Sequence, residues 1–327
     1  MILAGDVGGT NTRLALFNAD YRDKNPVVLE KFHSQTYKSL DDIVQIFINK
    51  HKSTVEYACF GVAGPVISGH CKTPNLAWDV DASGLAALLK INSVELINDL
   101  EANAYGIDVL GSDDFSVIHK RIPEKNGNAA LISAGTGLGE AGLYKENQYY
   151  NPIPSEGGHT DFAPRNKIEI DLLLYLFQKY EHVSYERIVS GPGLYNIYMF
   201  LRDTGRGGEP QWLAEQLQKN DPAAVISKSA LERKNKMCEQ ALDIFVSIYG
   251  AEAGNVALKF KATGGIYLGG GIAPKIIQKL KEPVFYESFV NKGRMKPLLE
   301  SIPVKVILND TTALLGAAAL AHRRSNK

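Results

Sequence analysis

Short apolar runs alternate with longer stretches of helical periodicity along this chain. Each short run borders Gly, Asn or Asp, which is the pattern of a buried strand followed by a turn. We predict strands at residues 14–17, 57–60, 94–97, 129–132 and 265–268. Helical periodicity predicts helices at residues 40–50, 83–90, 169–180, 228–261 and 311–324. Strands that alternate with helices indicate an α/β protein.

Two segments carry further structural signals. Asp310 and Thr311 offer a capping oxygen to the last helix, and basic residues follow at 322–324, near its other end. The run Gly316–Ala319 has almost no side-chain bulk, so this helix can approach a neighbour closely. Residues 204–222 are rich in Gly, Pro and polar side chains, and we predict a surface loop there.

Composition narrows the class of protein. A chain of 327 residues is long enough for about two domains. Its 36 basic and 36 acidic side chains cancel, so no bulk positive field favours nucleic acid as a partner. The cysteines, Cys59, Cys71 and Cys238, form no CxxC pair, which fits neither a disulfide framework nor a cysteine-rich zinc site.

The expected location is the cytoplasm, with no membrane partner. Met1 leads directly into the strand-like Ile2–Ala4, without the basic and apolar regions of a secretory leader. The apolar run 313–321 is shorter than the roughly 20 residues that a membrane-spanning helix needs.

Glycine is concentrated after predicted strands, and its first cluster carries one carboxylate. The segment Gly5-Asp6-Val7-Gly8-Gly9-Thr10 separates two strand-like runs. Glycines let main-chain N–H groups approach phosphate oxygens, because no Cβ blocks the approach. The alternative is a plain hairpin turn, and Asp6 and Thr10 favour the phosphate interpretation over it.

Two further glycine clusters extend the pattern. Gly137 to Gly142 match GxGxxG, but residues 143–150 resemble a strand or hairpin rather than the helix that a dinucleotide-binding fold requires. The cluster is therefore a second strand–glycine–strand turn. The third, Gly269–Gly271, ends a strand before a predicted helix start at Pro274, and its flat backbone could accept a nucleobase or sugar.

This arrangement, with no GxxxxGK[ST] motif, resembles the superfamily of sugar kinases, actin and heat-shock ATPases. Within it the chain is similar to the bacterial glucokinase family, whose motifs occur in order as 5–13 (GDVGGTNTR), 97–99 (IND), 135–137 (GTG), 156–159 (EGGH) and 186–193 (ERIVSGPG). The resemblance implies an α/β fold of two ribonuclease-H-like (actin-like ATPase) domains with a sugar and ATP cleft between them. It implies a small domain from residues 1–110 plus about 300–327, and a large domain from residues 111–299.

The same resemblance implies roles for individual residues. Asp99 is the expected base that takes the proton of the sugar 6-hydroxyl. Asn98 and Asp99 are expected to hold the hydroxyls nearer C4 and C6, whereas Glu156, His159 and Glu186 hold those at the C1 end. Asp6 is expected to face Mg²⁺ through water. The expected nucleotide-binding residues are Gly5, Asp6, Val7, Gly8, Gly9, Thr10, Gly135, Thr136, Gly137, Gly270 and Gly271.

Taken without the resemblance, these residues have simpler interpretations. Asp99 could be a helix N-cap, and Asp6 could simply form a turn. The segment Glu156–His159 could be an ordinary loop, or a metal-binding pair that lacks a third ligand at suitable spacing.

The predicted function is ATP-dependent phosphorylation of glucose at the 6-hydroxyl, with ATP and Mg²⁺ as cofactors and a homodimer as the assembly. Zinc is not expected, because the cysteine cluster of the related ROK family is missing after His159. One alternative is a sugar-responsive regulator, which would carry a helix-turn-helix ahead of Gly5. The other is an actin-like ATPase without a sugar pocket. The sequence does not rank glucose above mannose, glucosamine or fructose, nor ATP above ADP or polyphosphate.

Overall fold

A computed structural model describes residues 1–21, 25–73 and 76–325. The chain divides into two compact units. Unit 1 comprises Met1–Ser112, Gln148–Pro152 and Asn309–Lys327, and unit 2 comprises Asp113–Asn147 and Ile153–Leu308.

Unit 1 is built on a five-stranded sheet in the order β3-β2-β1-β4-β7. Its elements up to residue 106 are β1 (Ile2–Val7), β2 (Asn11–Phe17), β3 (Val28–His33), α1 (Leu40–His51), β4 (Tyr57–Val62), β5 (His70–Lys72), β6 (Asp79–Asp81), α2 (Ala82–Leu89), β7 (Val94–Asn98) and α3 (Asp99–Gly106). Strand β1 pairs antiparallel with β2 and parallel with β4, so it is central, and its side chains are almost all buried. Strands β5 and β6 form a separate two-stranded ribbon.

Unit 2 repeats this plan with a six-stranded sheet in the order β11-β10-β9-β12-β13-β8. Its elements are β8 (Phe115–His119), β9 (Ala129–Ala134), β10 (Leu138–Glu146), β11 (Tyr149–Ser155), α4 (Lys167–Leu176), α5 (Gly191–Asp203), α6 (Gln211–Lys219), α7 (Pro222–Leu231), α8 (Lys236–Phe260), β12 (Gly265–Gly269), α9 (Ile277–Leu280), α10 (Pro283–Val290), α11 (Lys296–Glu300) and β13 (Val304–Ile307). Strand β9 pairs antiparallel with β10 and parallel with β12, as β1 does with β2 and β4.

The chain then returns to unit 1 as α12 (Thr312–Ser325), which packs closely against α3. A Cβ atom added at Gly316 would lie 1.8 Å from the carbonyl oxygen of Ala102. One added at Gly106 would lie 2.2 Å from the carbonyl oxygen of Thr312. The close approach predicted from the small residues 316–319 is therefore present, and both helices supply glycine where they meet.

The α/β class and the strand–glycine–strand turns are confirmed, but one predicted helix was wrong. Residues 228–261 form two helices, because α7 ends at Leu231 and α8 begins at Lys236. Arg233 between them has a φ of 54°, which a helix cannot accommodate. The side chain of Asn235 then caps α8 by accepting the N–H of Cys238 at 3.0 Å.

One smaller prediction was also wrong, and the start of α12 shows contacts beyond those predicted. The segment 204–222 is not wholly a loop, because α6 lies within it and buries Leu213 against the core of unit 2. For the start of α12, where Asp310 and Thr311 are the predicted capping residues, the Asp310 carboxylate pairs with Arg13 at 2.7 Å. Asn309 provides a further polar contact at that end, accepting the N–H of Thr311 at 2.8 Å.

The division of the chain differs in detail from the expected borders. The C-terminal part of unit 1 begins at Asn309 rather than near residue 300, because β13 pairs with β12 and β8 in the sheet of unit 2. Residues Gln148–Pro152 also group with unit 1, where the N–H of Tyr150 donates to Asp108 at 2.6 Å.

Within the described residues, α8 is long and apolar enough to cross a membrane. Most of its side chains are buried in unit 2, including the large residues Phe245 and Tyr249. The apolar character of α8 therefore serves the core of this unit.

We predict that Gly316→Ala destabilises unit 1, because the added methyl group must push α12 away from α3. The expected loss in the free energy of unfolding is about 1–3 kcal/mol, as for other overpacked sites. Denaturant titration measures it. Gly208→Ala is the control, since a Cβ there meets nothing within 4 Å. Equal stability of the two variants would contradict the close approach.

Candidate functional site

Two hydrogen bonds hold the turn after β1, one within the main chain and one from a serine hydroxyl. The N–H of Gly8 donates to the carbonyl of Asn11 at 3.0 Å, and the hydroxyl of Ser34 donates to the carbonyl of Gly8 at 2.7 Å. Gly5 lies inside β1, where a Cβ would come within 2.2 Å of the Phe60 ring. The glycine at position 5 is therefore required by packing, and any role of it toward a nucleotide stays a prediction.

Charged side chains collect beside this turn. Asp6 is opposite Arg13 in the β1–β2 register, and Arg13 also pairs with Asp310 at 2.7 Å. Burial raises the pKa of Asp6 to about 6; Arg13 opposes this shift, and Asp99 and Asp310 add to it. A bound cation would relieve this crowding of negative charge.

The junction of β7 and α3 carries the predicted base. Asn98 is the N-cap of α3. Its side-chain oxygen accepts the N–H of Leu100 at 2.8 Å, and its main-chain N–H donates to the Glu101 carboxylate at 3.0 Å. This capping box takes the role that the simpler interpretation gave to Asp99. Asp99 is instead the first residue of α3, where burial raises its pKa against the lowering effect of nearby main-chain hydrogen bonds.

The side chain of Asn98 has a second structural contact. Its amide nitrogen donates to the carbonyl of Gly64 at 2.9 Å. The Asn98 side chain is also within hydrogen-bond reach of the Asp99 carboxylate.

In unit 2, the structure brings together Glu156, His159 and Glu186. His159 Nε2 lies 3.9 Å from Glu156 Oε2, and His159 Nδ1 lies 4.0 Å from Glu186 Oε1. The side chains of Glu156 and His159 are 84% and 59% exposed, so they present acceptors and a donor to solvent. Glu186 is more enclosed, and its Oε2 accepts the N–H of Leu138 at 3.0 Å.

The 3₁₀ turn Gly157–His159 lies directly on the start of β10. A Cβ at Gly158 would come within 1.9 Å of the Leu138 carbonyl oxygen. A Cβ at Gly137 would come within 2.5 Å of Glu186 Oε2. Gly137 and Gly158 therefore let the main chain support the polar group formed by Glu156, His159 and Glu186.

A cavity of about 540 Å³ opens in unit 2 beside the second and third glycine clusters. Its wall includes Gly135, Thr136 and Gly271 among the predicted nucleotide residues. The rest comes from α5, α7 and the segment after β12: Gly191, Pro192, Leu194, Tyr195, Asp221, Pro222, Ala223, Ala224, Ser227, Ile272, Lys275 and Ile276. The volume falls in the range of small-molecule sites.

The predicted glycines differ in what they do at this cavity. Cβ atoms at Gly135 and Gly271 would meet nothing within 4 Å, so both face open space. Gly270 has a φ of +78°, and a Cβ there would clash with Ala134, so it turns the chain. Gly137 faces Glu186 instead. The N–H of Gly191 donates to the carbonyl of Gly135 at 2.8 Å, which joins α5 to the second glycine turn.

Sequence reasoning missed Tyr195, Asp221 and Lys275 as residues of this wall. The signals were present, because Ser190 and Asp221 each stand one or two residues before a proline at the start of a helix. Because a loop was predicted over residues 204–222, the helix start at Asp221 was not recognised.

Comparison with known proteins decides the family. A family model described as Glucokinase matches residues 3–324 of this chain. The glucokinase of Nostoc punctiforme is 43% identical over 338 aligned positions, which cover 99% of each protein. The chain belongs to the glucokinase family.

Solved structures agree with this assignment to the glucokinase family. The crystal structure of a glucokinase from an Antarctic psychrotroph is 32% identical and superposes with a TM-score of 0.86, covering 98% of each chain. A glucokinase from Balamuthia mandrillaris, determined in complex with glucose, gives a TM-score of 0.80 at 24% identity over 98% of this chain and 93% of its own. The predicted actin-like ATPase fold of the glucokinase family is thereby confirmed.

We predict that Gly137→Ala in this glucokinase-family chain weakens glucose binding without unfolding the protein. The added methyl group would overlap the carboxylate of Glu186, the end of a flexible side chain that can move aside. Calorimetry without nucleotide should show a glucose Kd raised about tenfold, the equivalent of one lost charged hydrogen bond. Gly135→Ala, in the same turn but facing open space, should leave the glucose Kd unchanged; equal values for both variants would refute the role of Glu186.

Proposed function

We propose that this glucokinase-family enzyme transfers the γ-phosphoryl group of ATP to the 6-hydroxyl of glucose, with Asp99 as the base. The observation that carries the proposal is the position of Asp99. It begins α3 next to the N-cap Asn98, and its Oδ1 accepts the N–H of Leu100 at 2.9 Å, which holds the carboxylate in one orientation. Its raised pKa favours the uptake of a proton during the reaction.

The sugar is proposed to be held by Asn98, Asp99, Glu156, His159 and Glu186. Carboxylates accept hydrogen bonds from sugar hydroxyls, and the amide and imidazole N–H groups donate to them. Alignment of the 6-hydroxyl with the γ-phosphate is the main requirement of phosphoryl transfer, since the reaction needs little covalent chemistry from the protein.

The cavity beside Gly135 and Gly271 is proposed to hold the adenosine part of ATP. Its volume of about 540 Å³ and its mixed wall of apolar side chains and glycine backbone suit a flat base and a ribose. The phosphates would then be received by main-chain N–H groups of the turns at Gly8–Thr10 and at Gly135–Gly137.

Asp6 is proposed to face Mg²⁺, which in kinases neutralises charge on the transferred phosphate. The residues fit this group, because Asp6 lies near further carboxylates and a cation would offset their repulsion. Among the described residues no group of three or more His, Cys, Asp or Glu side chains could hold a metal. A magnesium ion here would thus rely on water and phosphate oxygens, which is how Mg²⁺ is commonly bound in such sites.

A homodimer and a cytoplasmic location are proposed on the resemblance alone. Sedimentation velocity tests the first and cell fractionation tests the second. Of the alternatives, an actin-like ATPase has no use for the exposed cluster of Glu156 and His159, which favours the sugar kinase.

We predict that Asp99→Asn lowers kcat by about 10²-fold or more while glucose binding largely survives. The amide keeps the shape of the side chain but cannot accept the proton. Coupled measurement of ADP release, with and without a panel of hexoses, checks this. A variant that turns over at the wild-type rate would refute Asp99 as the base. Rapid ADP release by the wild-type enzyme without any hexose would instead favour the general ATPase.

We predict that Gly271→Val raises the Kd for ATP while the Kd for glucose of the free enzyme stays unchanged. The Cβ of the valine would meet nothing within 4 Å, so the variant should fold. Gly208→Val is a matched control, because its Cβ would also meet nothing within 4 Å but lies outside the cavity. An unaltered ATP affinity in folded Gly271→Val would exclude this cavity as the adenosine site.

A further inference from the structure

Beneath the turn that carries Glu156 and His159 lies a buried carboxyl group with no assigned role. Glu140 is in β10 and is 1% exposed. A Cβ at Gly157 would lie 2.2 Å from Glu140 Oε2, so the turn rests on this carboxyl group. The hydroxyl of Ser155 connects the two further, since it donates to the Glu140 carbonyl at 2.8 Å and accepts the N–H of Gly157 at 3.2 Å.

A second buried carboxyl group lies beside the first. Glu252 on α8 is fully buried, and its carboxyl group is within hydrogen-bond reach of Glu140. Lys259 pairs with Glu252 at 3.3 Å, and the amide of Asn255 donates to it at 2.7 Å. Among the described residues, no donor reaches Glu140 Oε1, which is also buried.

Ionising both of two adjacent buried carboxyl groups costs much free energy. Burial, followed by the charge of Glu252, raises the pKa of Glu140 to about 8, and Lys259 only partly opposes this. A proton between the two groups removes one charge. It also supplies the hydrogen-bond donor that two ionised carboxylates would lack.

The pair also reaches the other segment of the sugar site. The hydroxyl of Tyr185 is within hydrogen-bond reach of Glu252 and accepts from the amide of Asn255 at 3.0 Å. Tyr185 immediately precedes Glu186 in the chain. The two carboxyl groups therefore connect the turn at Gly157 with the segment that presents Glu186.

We propose that Glu140 and Glu252 are positioning residues of the sugar site, a buried pair that shares one proton and supports the turn at Gly157. Neither side chain touches the sugar. Loss of the shared proton would leave two like charges under the turn and force it to move. This inference rests on the proposed sugar site and adds a cause for its dependence on pH.

Other titratable groups face the pair and could imitate its titration. Tyr249 on α8 lies near Glu140, and Tyr185 lies near Glu252. Lys292 donates a hydrogen bond to Asn255, and burial lowers the pKa of this lysine to about 8. A test must therefore remove the Glu140 proton specifically.

The test compares Glu140→Gln and Glu140→Ala with the wild-type enzyme by measuring the glucose Kd between about pH 6 and pH 9. Wild-type affinity should fall as the pH rises through about 8, the pKa of Glu140. Glu140→Gln keeps a neutral side chain of the same shape, so its affinity should match the wild type at low pH and stay constant. Glu140→Ala removes the support and should raise the Kd about tenfold or more throughout, with the KM for ATP unchanged.

Stability gives a second readout that does not depend on activity. The pKa of Glu140 rises from 4.5 to about 8, so its contribution to stability is complete below about pH 4.5 and is lost as the pH rises to about 8. The thermal stability of Glu140→Gln relative to wild type should therefore increase over that window. Glu169→Gln is the matched control: Glu169 is equally buried but paired with Arg165. It should lower stability and leave the pH dependence of glucose binding intact.

The outcomes separate this inference from the proposed function. A wild-type enzyme that does not phosphorylate glucose would overturn the proposed function, whatever Glu140 does. An active wild type whose pH dependence persists in Glu140→Gln would assign the titration to another group and overturn the inference. Infrared spectroscopy near neutral pH provides the final check, because a protonated carboxyl band missing from Glu140→Gln supports the pair, and its absence from the wild type refutes it.

Discussion

Both units depend on glycines that let two main-chain segments touch. A single methyl group at these positions would prevent the contact. Gly158 lies on the carbonyl of Leu138, and Gly316 lies on the carbonyl of Ala102. The first contact fixes the distance between the turn that carries Glu156 and His159 and strand β10. The second fixes α3, which begins with Asp99, against α12. Catalytic geometry in this family member therefore begins with residues that have no side chain, and dense packing transmits any added volume to the site.

The two units treat buried negative charge in different ways. In unit 1, Asp6 lies near the negative charges of Asp99 and Asp310, and the positive charge of Arg13 offsets only part of this negative charge. A ligand that carries a cation would offset the remaining negative charge. In unit 2, Glu140 and Glu252 have Lys259 beside them and can complete the balance with a proton. The charge around Asp6 is therefore only partly balanced by protein groups, whereas Lys259 and one proton can balance the charge of Glu140 and Glu252.

The sequence predicted the features that depend on local chemistry. Strands bordered by glycine, the small-residue face of α12 and the grouping of Glu156, His159 and Glu186 could all be inferred from motifs. Features that depend on one backbone angle or on tertiary contact could not. The break between α7 and α8 rests on the left-handed conformation of Arg233, and α6 exists because Leu213 finds a buried position. Glu140 lies within the glycine motif 137–142, yet nothing local indicates that Glu252, more than a hundred residues away, lies beside it.

The return of the chain to unit 1 has a consequence for how the protein is made. The core of unit 1 includes Ala317, Ala318 and Ala321 of α12 packed against Ile2 and Ala4 of β1. A ribosome makes β1 well before α12, so the side of β1 that α12 covers stays open until α12 has been made. Unit 2, encoded almost without interruption between them, can fold earlier. Strand β1 therefore stays partly uncovered while unit 2 is made, and a chaperone that shields apolar strands would find its target there.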